Sequence, residues 1–247
     1  MVAATRLALS WLTVLPVPGP PAVDRAVAGR AIALAPVVGA LLGAAATGLL
    51  WVLCWAGTGF TLAALVTVGA LALATRGMHL DGLADTADGL GSYGSPERAR
   101  EVMKSGGAGP FGVAALIFAI GIQALAFAAA AEAGRWLAVG LAVAAGRVAV
   151  VVACRGHRPA PGAGFGALVA RTQPWWTVLG WVVLALGTSV FAACRLWQGP
   201  VAVGVALLGS VLLVRHCVRR FDGLGGDVLG AALELTVAVA AAIVSAV

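Results

Sequence analysis

The sequence predicts an all-helical, polytopic integral membrane protein. Three observations carry that reading. Of the 247 residues, 61% are hydrophobic and only 11% charged, where a soluble domain carries roughly 25% charged residues. Apolar runs near 20 residues recur, about the helical length that crosses 30 Å of hydrocarbon. Basic residues also alternate between connections. Thirteen of the 16 Lys and Arg fall on one side of the implied membrane, two fall on the other, and Arg147 lies within a segment. That asymmetry places the N-terminus in the cytoplasm and the C-terminus outside.

The elements follow in order. Residues 4–15 predict a short interfacial helix, stopped by Pro16, Pro18, Pro20 and Pro21. The same prolines stand where a small-residue cleavage site would lie, so no cleavable signal peptide is expected. Seven apolar segments follow, at about 31–54, 59–75, 110–131, 136–153, 175–194, 200–214 and 229–246. Gly39 and Gly43 form a small-x-x-x-small pair that favours close helix packing. One membrane-embedded domain is expected over 1–247. Cys54, Cys154, Cys194 and Cys217 are isolated, so neither a zinc site nor a redox dithiol is implied. A Cys54–Cys194 disulfide is the one pairing left open.

Residues 76–112 are the chemical centre. Five of the ten acidic residues lie there. Asp81, Asp85 and Asp88 are spaced i, i+4, i+7, which on a helix puts them within an arc of about 60°. Two bare carboxylates about 6 Å apart repel by roughly 3 kcal/mol at an effective dielectric near 20. No Lys or Arg sits three or four positions from any of the three. A hard divalent cation, Mg²⁺ or Mn²⁺, would supply the missing charge. The alternative is a solvated helix face or an N-cap. His79 could orient a carboxylate or contact phosphate, or simply pack.

A second constellation covers residues 219–235. Asp227 and Glu234 are seven apart and share a helix face. Glu234 sits in an apolar segment, where an acid needs a polar cavity or a partner. Gly223, Gly225 and Gly226 permit close backbone approach to a ligand, and the helix start beyond them suits phosphate. Otherwise Asp227 is an N-cap and the glycines serve packing. The loop 155–166, rich in Gly, Pro and Arg, either holds phosphate or anchors to headgroups. His157 and His216 read as interfacial side chains.

Composition and spacing thus reach metal-assisted phosphoryl chemistry at a membrane surface. They exclude some classes. There is no G-x-x-x-x-G-K-[ST] motif for NTP hydrolysis. The net charge of +6 is spread over separate loops, which suits anionic lipid or substrate and not nucleic acid. Two rival readings remain: a CDP-alcohol phosphotransferase, and a cation-coupled transporter. Against the first, D-G-L-A-D lacks the Arg of the lipid-enzyme pattern, and Asp85 and Asp88 are three apart. Against the second, the acids lie toward one membrane face and no inverted repeat is visible.

The segment H-L-D-G-L-A-D-T-A-D-G (79–89) resembles the signature of the cobalamin synthase family, the adenosylcobinamide-GDP ribazoletransferases. L-T-V-L-P-V-P (12–18), P-V-V-G-A-L-L-G (36–43), M-K-S-G-G-A-G-P-F-G (103–112), P-G-A-G-F-G (161–166) and G-D-V-L-G-A-A-L-E (226–234) resemble further family segments. Departures are Ser105 for the usual Asp, Leu233 for Asn, and Gly225 for Thr. The resemblance implies a Mg²⁺-dependent transferase of the bacterial inner membrane with its site on the cytoplasmic side. Its substrates would be adenosylcobinamide-GDP and α-ribazole or its 5′-phosphate, with GMP leaving. It implies Asp81, Asp85, Asp88 and Lys104 as catalytic. It implies Asp81, Asp85, Asp88, Asp227 and Glu234 as metal ligands, and His79, Arg147, Arg158 and Gly226 as substrate contacts. Membrane lipids are expected around it, and an oligomer is left open.

Overall fold

The computed structural model describes residues 1–246. Among them the chain is helical, with one isolated bridge, Pro159 to Leu224, and no sheet. Helix α1 (Val2–Leu12) is the expected N-terminal helix, ending ahead of the prolines. The apolar stretch expected from residue 31 begins differently. A separate helix α2 (Arg25–Ala33) is capped by the Asp24 side chain, which accepts from the Val27 N–H at 2.7 Å. The chain breaks at Leu34, and α3 (Ala35–Trp55) starts with Pro36 in its first turn. Proline fits there because those N–H groups have no intrahelical partner.

Helix α4 (Phe60–Ala74) is followed by a left-handed turn at Arg76 and Gly77. The turn swings α5 (Met78–Gly91) through 92° relative to α4. Arg76 is non-glycine at positive φ; its guanidinium donates to the carbonyls of Thr13, at 2.8 Å, and Ser10, which tie the turn to the end of α1. Helix α6 (Pro96–Met103), begun by a Ser95 cap, occupies a connection the apolar pattern left unassigned. Then come α7 (Pro110–Glu132), α8 (Trp136–Ala153), the short α9 (Gly164–Val169), α10 (Trp175–Ser189), α11 (Gln198–Arg220) and α12 (Gly226–Ser245).

Five helices, α3, α7, α8, α11 and α12, are long and apolar enough to cross a membrane. A sixth crossing results if the bent α4–α5 pair is one broken span. Helix α10 has 15 residues, about 22 Å at 1.5 Å per residue, short of a 30 Å core. All seven expected apolar segments are therefore helical, and length supports five or six of them as crossings. The four cysteines are free, including Cys54 and Cys194.

Helix α12 is the central one, buried along most of its length among α5, α7, α8 and α11. Glycines set the closest approaches. A Cβ at Gly43 would lie 2.5 Å from the Gly140 carbonyl oxygen, so α3 and α8 meet backbone to backbone, as the glycine pair predicted. On the next turn Gly39 faces the Arg147 side chain. A Cβ at Gly82 would lie 2.7 Å from the Asp227 oxygen, and one at Gly230 would lie 2.9 Å from the His79 oxygen. These two glycines press α5 against α12 and so fix one acidic element beside the other.

Candidate active site

Asp227 is the hinge of the site. It lies in the first turn of α12 and lines three adjoining clefts. The first, about 380 Å³, is bounded by Asp81, Asp85, Lys104, Asp227 and the backbone of Gly106 and Gly107. The second, about 230 Å³, is mostly apolar and takes His79, Arg147, Met78, Phe165 and Gly226 into its wall. The third, about 190 Å³, runs between Lys104, Arg100, the 160–166 loop and Gly225–Asp227. Phe165 is held edge-on against Trp11, ring centres 4.9 Å apart.

The three carboxylates of α5 differ in their surroundings. Asp81 is exposed, Asp85 half-buried and Asp88 buried. Helix α5 by itself is not among the five helices long and apolar enough to cross a membrane, and it bends 92° away from α4. Burial first, then the charges of Asp81, Asp227 and Asp88, push the Asp85 carboxyl up to about 6. Like charges crowding one group produce that direction.

Asp88 is placed otherwise than the spacing implied. Its carboxylate accepts the Gly109 N–H at 2.6 Å and the Gly112 N–H at 2.9 Å. Those N–H groups belong to the N-terminus of α7, where amides lack intrahelical acceptors and the helix dipole favours an anion. Asp88 therefore anchors α7 on α5, and it does not line the cleft that Asp81, Asp85 and Asp227 share. The signal was present in G-A-G-P-F-G (107–112), a helix start flanked by small residues.

Glu234 likewise parts from the group. Seven residues is two turns, about 10 Å along the axis, which carries it into the bundle. There it accepts from Gln123 Nε2 at 2.6 Å and lines a small cavity with Arg147 and Gln123. Gln123, a lone amide in the apolar run of α7, was missed in the sequence, although such a residue marks a buried polar contact. Arg147 is buried, reaches both this cavity and the His79 cleft, and donates to the Val143 carbonyl at 3.2 Å.

Arg158 is not in the walls of these clefts. Its guanidinium pairs with Asp222, and the adjoining Pro159–Leu224 bridge fastens the Gly-rich loop to the α11–α12 turn. Lys104 caps the end of α6 and is exposed over the acidic cleft. Gly226 opens α12 beside Phe165.

Among the described residues no three His, Cys, Asp or Glu side chains are drawn together as a ready-made metal cage. The donor set still suits one cation. Mg²⁺ keeps water and substrate phosphate oxygens and is commonly held by only one or two carboxylates. Asp81 and Asp227, all-oxygen donors on facing helices, meet that requirement.

The fold and this site define a helical membrane protein with an acidic cleft shared by two helices at one end of the bundle. A family profile described as cobalamin-5-phosphate synthase matches residues 4–245. Named relatives are the adenosylcobinamide-GDP ribazoletransferases of Corynebacterium efficiens, 39% identical over 95% of this chain and 88% of that protein, and of Nocardioides sp., 40% identical over 95% of each. That of Frankia casuarinae is 37% identical over 96% of this chain and 92% of its own length. No solved structure matches the chain. The chain belongs to the cobalamin-5-phosphate synthase family, and it is a transferase of cobalamin synthesis.

Proposed function

We propose that the protein, as a single membrane-embedded domain, transfers the cobinamide-phosphate moiety of adenosylcobinamide-GDP to α-ribazole or its 5′-phosphate. GMP leaves, and adenosylcobalamin or its 5′-phosphate forms. The observation that carries the reading is the facing of Asp81 and Asp85 on α5 with Asp227 on α12 across one cleft, with Lys104 at its rim. A diphosphate laid there meets cationic and metal-binding groups together. Asp81 and Asp227 would hold Mg²⁺, which when bound neutralises diphosphate charge. Lys104 offsets charge on the transferred phosphoryl group. Asp85, with its raised affinity for a proton, takes the proton from the attacking ribazole hydroxyl. The bond from phosphorus to the GMP oxygen breaks as the new phosphodiester bond forms. The apolar cleft beside His79 and Arg147 suits the aromatic base of the acceptor. Asp88 and Glu234 support this arrangement from behind, through α7 and through Gln123 and Arg147.

The basic-residue asymmetry supports a cleft on the cytoplasmic side of a bacterial cell membrane. Purified protein in liposomes with Mg²⁺ should release GMP from adenosylcobinamide-GDP only when α-ribazole or its phosphate is present. CMP release from CDP-diacylglycerol in place of GMP would move the assignment to lipid headgroup synthesis. Ion-driven uptake with neither product would make the protein a transporter.

A further inference from the structure

A cavity of about 380 Å³ lies apart from the acidic clefts, among α8, α10, α11 and the loop after α8. Helix α8 separates the two regions. Arg147 and Val150 face the apolar cleft of the site, whereas Ala149, Val152 and Ala153 face this second cavity. One part of its wall is apolar, from Val178, Val211 and Val214; the other carries Arg155, His157 and Arg215. No acidic residue lines it. The ion pairs among the described residues join Arg98 to Glu101, Arg100 to Glu97 and Arg158 to Asp222, so neither Arg155 nor Arg215 is paired.

The cavity sits at one level of the bundle. Arg155 follows the end of α8, and Arg215 lies in the last two turns of α11. Val178 is one turn into α10, whose start carries the exposed Trp175 and Trp176. Exposed indoles beside unpaired arginines mark the headgroup level of a bilayer. Only Ser189 is buried along α10, so its outward side is open to lipid.

We propose that this cavity binds one anionic phospholipid, with the phosphate between Arg155 and Arg215 and an acyl chain along Val178, Val211 and Val214. The His157 ring supplies a hydrogen bond beside the phosphate, and the Ser210 hydroxyl lies deeper, five residues before Arg215 on α11 and next to Val211. Burial first, then Arg215 and Arg171, holds His157 below the usual imidazole range, so at neutral pH it can both donate and accept. Two unpaired cations with no acid nearby select an anionic headgroup over a zwitterionic one, and the apolar wall selects a lipid over a free anion.

The test is native mass spectrometry of the purified full chain titrated with phosphatidylglycerol, phosphatidylcholine or inorganic phosphate. It does not depend on the proposed reaction, because bound lipid and not turnover is read. One phosphatidylglycerol should bind in preference to phosphatidylcholine. At about fivefold per basic residue, the Arg155→Gln/Arg215→Gln double variant should bind it about thirtyfold more weakly. Should the double variant not fold, each single variant should lose about fivefold. Val178→Trp, which fills the apolar wall and keeps both cations, should also lose the lipid. Unchanged phosphatidylglycerol binding in the variants would overturn the proposal. So would displacement of the lipid by millimolar inorganic phosphate, which would make the cavity a free-anion site.

Discussion

Replacing Asp88 by Asn should damage stability, whereas the same change at Asp81 should damage turnover alone. Asp88 is buried and gives one oxygen to each of two α7 amides, at 2.6 and 2.9 Å. Hydrogen bonds to a charged group contribute about 1.5–3 kcal/mol each, and a buried donor left unmet costs about 1–3 kcal/mol. Asn keeps one acceptor but turns its amide NH₂ toward the other N–H, and it loses the charge that the α7 N-terminus favours. Because the lost bond and the unmet donor are one event, the loss is about 2–4 kcal/mol once the missing charge is included. Asp81 is exposed and lines the open cleft, so Asp81→Asn leaves stability within about 0.5 kcal/mol. Because Asp81 is a proposed ligand of the charge-neutralising cation, the same change should cost about 10²-fold or more in turnover. Unfolding in detergent gives the first quantity and acceptor-dependent GMP release the second. An Asp88→Asn protein as stable as the parent would refute the anchoring role.

Gly82→Ala puts a methyl group 2.7 Å from the Asp227 carbonyl oxygen and 2.9 Å from its Cα, both backbone atoms. Helix α5 must move away from α12, and turnover should fall at least tenfold, since small misplacements of reacting groups are costly; normal turnover would show that the interhelical spacing is not critical. In metal-free protein the raised affinity of Asp85 for its proton favours the folded state at low pH. That contribution is complete below the unfolded value near 3.8 and is lost as pH rises through about 6. Mg²⁺ should therefore raise the melting temperature more at pH 7.5 than at pH 5, and an equal rise at both would argue against a cation beside Asp85. With all seven apolar segments crossing, the count on which the 13-to-2 split of basic residues rests, a reporter fused after Val247 should lie outside the cell; a cytoplasmic reporter would mean an even number of crossings.

Local chemistry fixed much of this protein in advance. Runs of apolar residues must be helical in lipid because every backbone N–H and C=O needs an internal partner, and helices form at all seven expected segments. The 79–89 segment marked the family, and helical periodicity put Asp81 and Asp85 together. Tertiary structure decided the rest. Periodicity gives the direction of a side chain from its own axis but not what stands opposite. Asp88 met the amides of α7, Glu234 met Gln123 two turns into the bundle, and Arg158 met Asp222. The cleft itself exists because Gly82 and Gly230 bring two helices, 145 positions apart between Asp227 and Gly82, into backbone contact. No local pattern specifies such a pairing, because the partner of each glycine lies in a distant part of the chain.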